Sequence, residues 1–140
     1  MGWRQPGLQK RIDHEASGIA HQHQLLGELM REVSRELESG SRERCQSVLS
    51  RLRGALRAHF LLEEDVVFPA FLGLHPELGE EMGVLSRGHH ELWGELEQLE
   101  LSIDGGDARE ATRIFEGFRA GMKAHEAAEE ALLSSPKPQP

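Results

Sequence analysis

Residues 59–63 read His59-Phe-Leu-Leu-Glu63 and residues 125–129 read His125-Glu-Ala-Ala-Glu129, so a histidine precedes a glutamate by four positions twice. Four residues make about one turn of an α-helix, which puts each imidazole on the same helix face as its carboxylate. Two further histidines, His23 and His89, stand upstream of the two copies. A lone histidine followed by an HxxxE phrase, repeated twice, is the side-chain inventory of a dinuclear metal site.

Composition narrows the class of protein. The chain has 140 residues, which predicts a single domain over residues 1–140. Its formal net charge of -8 disfavours nucleic acid as a partner, because phosphate binding needs a basic surface. Cys45 is the only cysteine, and the sequence contains neither an apolar run long enough to span a membrane nor a signal peptide. We therefore expect a cytoplasmic protein without a membrane partner, as a monomer or weak homo-oligomer.

Turn-forming residues divide the chain into four segments with helical periodicity. They run from Pro6 to about Leu37, from about Arg42 to Phe71, from about Glu77 to Ile103 and from about Asp107 to Leu133. No segment alternates with period two, which predicts an all-α fold, an antiparallel up-down four-helix bundle over about residues 8–133. Residues 134–140 are expected to be a disordered tail. The glycines of the third segment predict a late start or a kink between Pro76 and Gly83.

A heptad register places one histidine of each segment on the apolar seam that faces the bundle core. In the second segment this seam consists of Val48, Leu52, Ala55, His59, Leu62 and Val66. His23 and His59 are each about 15 residues from the first turn, or roughly 22 Å along their helices. His89 and His125 match them to within one or two helical turns, so the four imidazoles are expected to meet in one layer.

Glu63 and Glu129 separate two interpretations of this layer. One is a structural polar core, in which inward histidines are satisfied by hydrogen bonds alone. The other is a metal site, into which both carboxylates point. An unpaired buried carboxylate costs several kcal/mol, and a metal cation removes that cost. The carboxylates therefore favour the metal site.

The string His59-Phe-Leu-Leu-Glu-Glu-Asp-Val-Val-Phe-Pro69, followed by Gly88-His-His-Glu-Leu92, resembles the hemerythrin-like HHE cation-binding family. The resemblance covers about residues 8–133 and is strongest to the bacterial subgroup with the pattern H…HxxxE…H…HxxxE. It implies an up-down four-helix bundle around two iron ions with an oxo or hydroxo bridge. It also implies terminal ligands and bridging carboxylates, namely His23, His59, His89 and His125 as terminal ligands and Glu63 and Glu129 as bridges. Manganese or zinc would also suit these ligand types.

Two departures from the oxygen-carrying members bear on function. Trp93 stands where those proteins have a second histidine on the third helix, and Glu130 rather than Glu129 has their spacing from the last histidine. The resemblance then implies binding or turnover of a small oxidant, oxygen, hydrogen peroxide or nitric oxide, in oxidative or nitrosative stress defence. The alternative is an oxygen- or iron-sensing or carrying module without turnover. Whether the chain is an enzyme stays open.

Several neighbours of the six candidate ligands have two interpretations. Glu64, Glu126 and Glu130 either accept imidazole N–H bonds or are solvated charges, and the sequence favours the second. His21 or His90 would add a fifth imidazole only if a helix rotated. Trp93 and Phe60 are either core residues or a hydrophobic wall that limits access to the site.

Overall fold

The structure, a computed structural model, describes the backbone of residues 6–134 and the side chains of residues 18–134. Its elements are the helices α1 (Pro6–Ser39), α2 (Arg42–Leu62), α3 (Phe68–Leu74), α4 (Gly79–Asp104) and α5 (Ala108–Ser134), with a π-helical turn at Glu63–Val67 and a 3-10 turn at Pro76–Leu78. No strand occurs between residues 6 and 134, and the all-α prediction is confirmed. None of the described helices is long and apolar enough to cross a membrane.

Four helical rods form the bundle. The α2 helix, the π turn and α3 continue into one another as a single rod, while α1, α4 and α5 are the other three. Helix α1 packs against α2 and α5, and α4 packs against the same two partners, which closes the ring. The connections α1–α2 and α4–α5 are short, so each pair is antiparallel. Gly40 and Gly106 lie in these connections with φ of 73° and 75°, a conformation that glycine adopts without steric cost.

The π turn at Glu63–Val67 is a feature that the heptad pattern did not predict. Its last bond runs from the Phe68 N–H to the Glu63 carbonyl, five residues back. Pro69 has no N–H, and its ring would collide with the carbonyl four residues earlier in a regular α-helix. The wider turn accommodates this proline and adds one residue to the rod. Val67 is therefore buried, and the prediction that Val66 lies on the seam was wrong.

Two apolar clusters lie above and below a polar layer. The larger cluster includes Leu26, Met30, Leu56, Phe60, Leu92 and Met122. The smaller one consists of Ile19, Val67, Phe68, Phe71, Met82 and Leu85. Candidate ligands of each rod come between residues of the two clusters: His23 between Ile19 and Leu26, Glu63 between Phe60 and Val67, and His89 between Leu85 and Leu92. On α5, His125 and Glu129 come between Met122 and Leu132, which packs against the smaller cluster. The clusters therefore place the candidate ligands of all four rods in one layer and cover it on both sides.

The ends of two helices bear on predicted boundaries. Helix α4 begins at Gly79, directly after the 3-10 turn, in agreement with the late start expected from the glycines of this segment. Ser134, which the sequence places in the tail, is the last residue of α5. Residues 135–140 of that predicted tail lie outside the described residues.

Candidate metal centre

One half of the polar layer is built by α1 and α2. The Nε2 atoms of His23 and His59 lie 3.1 Å apart, on opposite sides of the α1–α2 interface. His59 Nε2 lies 3.3 Å from Glu63 Oε1, one helical turn along the same rod. His23 Nε2 lies 3.8 Å from Oε1 of Glu129, which reaches the layer from α5. Three rods thus converge on a space only a few ångströms wide.

The other half is built by α4 and α5. His89 Nε2 lies 3.0 Å from Glu63 Oε1. His125 Nε2 lies 3.3 Å from Glu129 Oε2. The rings of His89 and His125 lie with centroids 4.8 Å apart and their planes tilted by 59°. Each glutamate therefore approaches a histidine of this half as well as one of the first half.

The structure brings all six predicted residues together as two overlapping groups of four. One group is His23, His59, Glu63 and Glu129, and the other is Glu63, His89, His125 and Glu129. Within each group the potential ligand atoms all lie within 4.8 Å of one another. Both glutamates belong to both groups, which is the geometry that two carboxylates shared between two cation positions require.

Six buried polar atoms of the layer lack hydrogen-bond partners. They are both carboxylate oxygens of Glu63, both of Glu129, and the Nε2 atoms of His89 and His125. Glu63 and Glu129 are 0% and 1% exposed, so water does not compensate these atoms. A folded protein rarely leaves so many adjacent polar atoms unsatisfied, because each one costs free energy. Imidazole nitrogens and carboxylate oxygens are ligands for divalent metals, so the residues present fit a pair of metal ions.

Burial also sets the protonation of the layer. Desolvation, reinforced by the neighbouring imidazoles, lowers the pKa of His59 to about 3 and that of His125 to about 4. It also lowers the pKa of His23. These imidazoles are neutral at pH 7, and a neutral imidazole is the form that binds metals. Desolvation raises the pKa of Glu63, because burial destabilises the negative charge of a carboxylate that no cation compensates.

Two of the three acidic neighbours face imidazoles. Glu64 Oε2 accepts a hydrogen bond of 2.5 Å from His89 Nδ1, and the Ser86 hydroxyl donates to Glu64 Oε1. Glu126 Oε2 lies 3.6 Å from His23 Nδ1, and burial raises the pKa of this carboxyl to about 7. Glu130 is exposed. The preference for solvated charges was therefore wrong for Glu64, whose carboxylate orients the His89 ring.

Gln22 and Gly88 touch the layer and were missed by sequence reasoning. The His59 Nδ1–H donates to Gln22 Oε1 at 2.8 Å. A Cβ atom on Gly88 would lie 2.8 Å from His125 Nδ1, so only glycine leaves room for this ring. Gln22 directly precedes His23, and residues flanking a seam position face the neighbouring helix, which is the signal that could have identified it. Gly88 directly precedes His89, but nothing in the sequence alone indicates the close approach of α5.

The remaining aromatic candidates lie beside the layer. His21 and His90 are exposed, and neither belongs to the two groups of four. Phe60 stacks on His89 with ring centroids 4.0 Å apart. Trp93 packs against the larger apolar cluster and carries the Arg53 guanidinium 5.3 Å above its ring. Phe60 is thus part of the wall of the layer, whereas Trp93 lies farther out, in a groove between α2 and α4.

A second groove, between α1 and α5, reaches the layer from the opposite side. It has a volume of about 590 Å³, and His23 and Glu126 lie on its wall together with Gly27 and Met30. The His23 side chain is 23% exposed, whereas those of His59 and His89 are 1% and 5% exposed. Among these three histidines, His23 is therefore the one most accessible from solvent.

Comparison with curated proteins and with solved structures found no match. A comparison with protein families did find one: residues 14–135 match the family described as the hemerythrin HHE cation binding domain. The match spans more than half of the chain and includes all six residues of the polar layer. The chain therefore belongs to the hemerythrin HHE cation-binding domain family, and its histidines and glutamates form a cluster that could hold metal ions.

Proposed function

We propose that the polar layer holds two iron ions and that the protein binds or turns over a small oxidant, namely oxygen, hydrogen peroxide or nitric oxide. In this proposal each group of four residues holds one ion, and Glu63 and Glu129 are shared by both. One observation carries the proposal. Six buried polar atoms of Glu63, His89, His125 and Glu129 lack hydrogen-bond partners, and the same two glutamates also group with His23 and His59 around a second position. Manganese or zinc would fit the same donor atoms.

A bound pair of iron ions would supply a place for a small oxidant and a means of exchanging electrons with it. The protein's own residues prepare that place. Burial keeps His59 and His125 unprotonated, because the pKa of each lies far below 7. The apolar clusters on both sides exclude water from the layer. Glu64 and Gln22 hold two of the rings by their Nδ1 atoms, so each of these rings turns Nε2 inward.

The shape of the site supports a small ligand. The α1–α5 groove leads from solvent to His23, which is the only partly exposed imidazole of its group of four. Two shared carboxylates and two imidazoles give each metal position four protein donors, fewer than the six that iron commonly accepts, which leaves room for an external molecule. We propose a role in defence against oxidative or nitrosative stress on this basis. The cytoplasmic location and the monomeric or weakly oligomeric state stay predictions.

Metal analysis is the first test. Metal-free protein reconstituted with ferrous iron under argon should retain about two ions per chain after desalting, since two positions share the donor set. The matched control is His90→Ala, which removes an exposed imidazole beside the layer and should leave the metal content unchanged. Retention of no iron, manganese or zinc by the wild-type chain would overturn the proposal.

A second test separates turnover from carriage or sensing. We expect air to oxidise the ferrous protein to a stable ferric form that binds azide and consumes hydrogen peroxide, because Trp93 and not a further histidine occupies the neighbouring turn of α4. Stopped-flow absorbance after mixing with oxygen, followed by argon, measures this. Rapid, repeatable return to the ferrous spectrum without peroxide consumption would instead assign the protein to the carrier or sensor class.

A further inference from the structure

We propose that Gln22 is a positioning residue for the metal centre. It fixes the proton of His59 on Nδ1. Its side chain is also neutral, whereas Glu64, the corresponding partner of His89, is a carboxylate. This difference makes the two metal positions unequal in affinity. The inference rests on the proposed metal centre and adds to it a residue outside the six candidate ligands. It predicts an order of metal binding, with the His89 position filled before the His59 position.

The hydrogen bond from His59 to Gln22 fixes the tautomer. Gln22 Oε1 lies 2.8 Å from His59 Nδ1, and an amide oxygen only accepts hydrogen bonds. The proton of the neutral ring is therefore on Nδ1. The lone pair on Nε2 then faces the layer, where Glu63 Oε1 lies 3.3 Å away. Without Gln22 the proton could occupy Nε2 and block that nitrogen as a ligand.

The partner of His89 has a different charge. Glu64 Oε2 lies 2.5 Å from His89 Nδ1, and the Ser86 hydroxyl holds the other carboxylate oxygen at 2.9 Å. A carboxylate draws the Nδ1 proton more strongly than a neutral amide, which makes the opposite nitrogen a better electron donor. Such partners change metal affinity by roughly 10- to 100-fold.

The other two rings do not cancel this difference. Glu126 Oε2 is 3.6 Å from His23 Nδ1, beyond the distance of a hydrogen bond. On the Nδ1 side, His125 faces the backbone of Gly88. Glu63 and Glu129 belong to both positions. The close partners of His59 and His89 therefore distinguish the two positions.

The test uses zinc, which binds these ligand types without redox chemistry. Titration of metal-free protein by calorimetry should resolve a tighter and a weaker zinc. Gln22→Glu supplies His59 with a carboxylate and should tighten the weaker step by roughly tenfold, whereas Gln22→Ala should weaken it by a similar factor. Glu64→Gln should weaken the tighter step. Gln24→Glu, an exposed change of equal charge two residues along α1, should alter neither constant.

If Gln22 had a merely structural role, its substitution would lower the free energy of unfolding without opposite changes of the weaker zinc constant in Gln22→Glu and Gln22→Ala. The readout that distinguishes the roles is nitrogen NMR of the zinc-loaded protein, in which His59 should carry its proton on Nδ1 and bind zinc through Nε2. A single affinity for both ions, zinc on Nδ1, or equal constants in Gln22→Glu and Gln22→Ala would overturn the inference. Binding of two zinc ions with any of these results leaves the proposed metal centre standing, whereas retention of no zinc, iron or manganese would remove both proposals.

Discussion

The two halves of the polar layer share Glu63 and Glu129 but differ in what surrounds their imidazoles. His23 opens onto a groove of about 590 Å³, and its neighbour His59 bonds to the neutral Gln22. The opposite half is the more closed of the two: His89 is 4% exposed, stacked on Phe60 and bonded to the carboxylate of Glu64. A repeated ligand pattern therefore does not give two equal positions, because the residues next to the ligands are not repeated.

The backbone differs between the two HxxxE phrases as well. The copy at residues 125–129 lies within the regular helix α5, whereas Glu63 is the first residue of the π turn. The cause is Pro69, which lies within the helical rod of the first copy, whereas α5 contains no proline. Both glutamates nevertheless reach the layer with less than 2% exposure. The π turn thus changes the register after the ligand and leaves the ligand itself in place.

We expect the largest effect on metal content when a carboxylate shared by the two halves is removed. Glu63→Ala or Glu129→Ala removes a carboxylate from both groups of four, so each variant should lose both metal ions rather than one. Metal content after reconstitution and desalting measures this. Both alanine variants should still fold, because the change also removes two buried oxygens that have no hydrogen-bond partner.

Loss of a single ion in either glutamate variant would show that the carboxylates are not shared. Glu130→Ala is the matched control, since this exposed glutamate is adjacent to Glu129 in sequence and lies outside both groups. It should retain the wild-type metal content. Equal losses of metal in Glu129→Ala and Glu130→Ala would show that the assignment of Glu129 rather than Glu130 as the α5 ligand is wrong.

Periodicity predicted most of the fold and the six clustered residues, since an apolar seam and an inward histidine on each segment are properties of the sequence itself. It placed Val66 on the seam wrongly because a heptad count assumes a uniform helix, and Pro69 forces an extra residue into the turn. Gln22 and Glu64 were missed or undervalued for another reason. Their roles depend on contacts across helix interfaces, and these contacts follow from the packing rather than from spacing.

The second prediction concerns the closed half alone. Gly88→Ala adds a Cβ atom that would lie 2.8 Å from His125 Nδ1 and 3.0 Å from its Cε1. The ring must move, so we expect a loss of about 1–3 kcal/mol in the free energy of unfolding, as for other overpacked cores. The His89–His125 position should also bind metal more weakly. Urea denaturation of the metal-free protein and a zinc titration measure the two effects.

Gly94→Ala is the control for helix propensity. Gly94 lies on the same helix, and a Cβ atom there meets nothing within 4 Å. Alanine should stabilise α4 at this position by about 0.5–1 kcal/mol, because glycine is a poor helix former. If Gly88→Ala were stabilising to the same degree, with zinc binding unchanged, the close packing of α4 against His125 would not exist in solution.

We expect the smallest effect in the half that contains His23, where only the rate of ligand association through the α1–α5 groove should change. Gly27 lies on the wall of the α1–α5 groove, and a Cβ atom there meets only the Arg31 guanidinium at an ordinary 3.7 Å. A leucine at this position is compatible with the helix, and its side chain would extend into the groove toward His23. We therefore expect Gly27→Leu to keep its metal while azide associates roughly tenfold more slowly, which corresponds to about 1.4 kcal/mol in the barrier. Stopped-flow absorbance of the ferric protein measures this rate.

Gly117→Leu, an exposed change of the same size on α5 with no atom near its Cβ, should bind azide at the wild-type rate. An unchanged azide association rate in Gly27→Leu would show that ligands do not enter through the α1–α5 groove. The α2–α4 groove beside Trp93 and His89 would then be the next route to test.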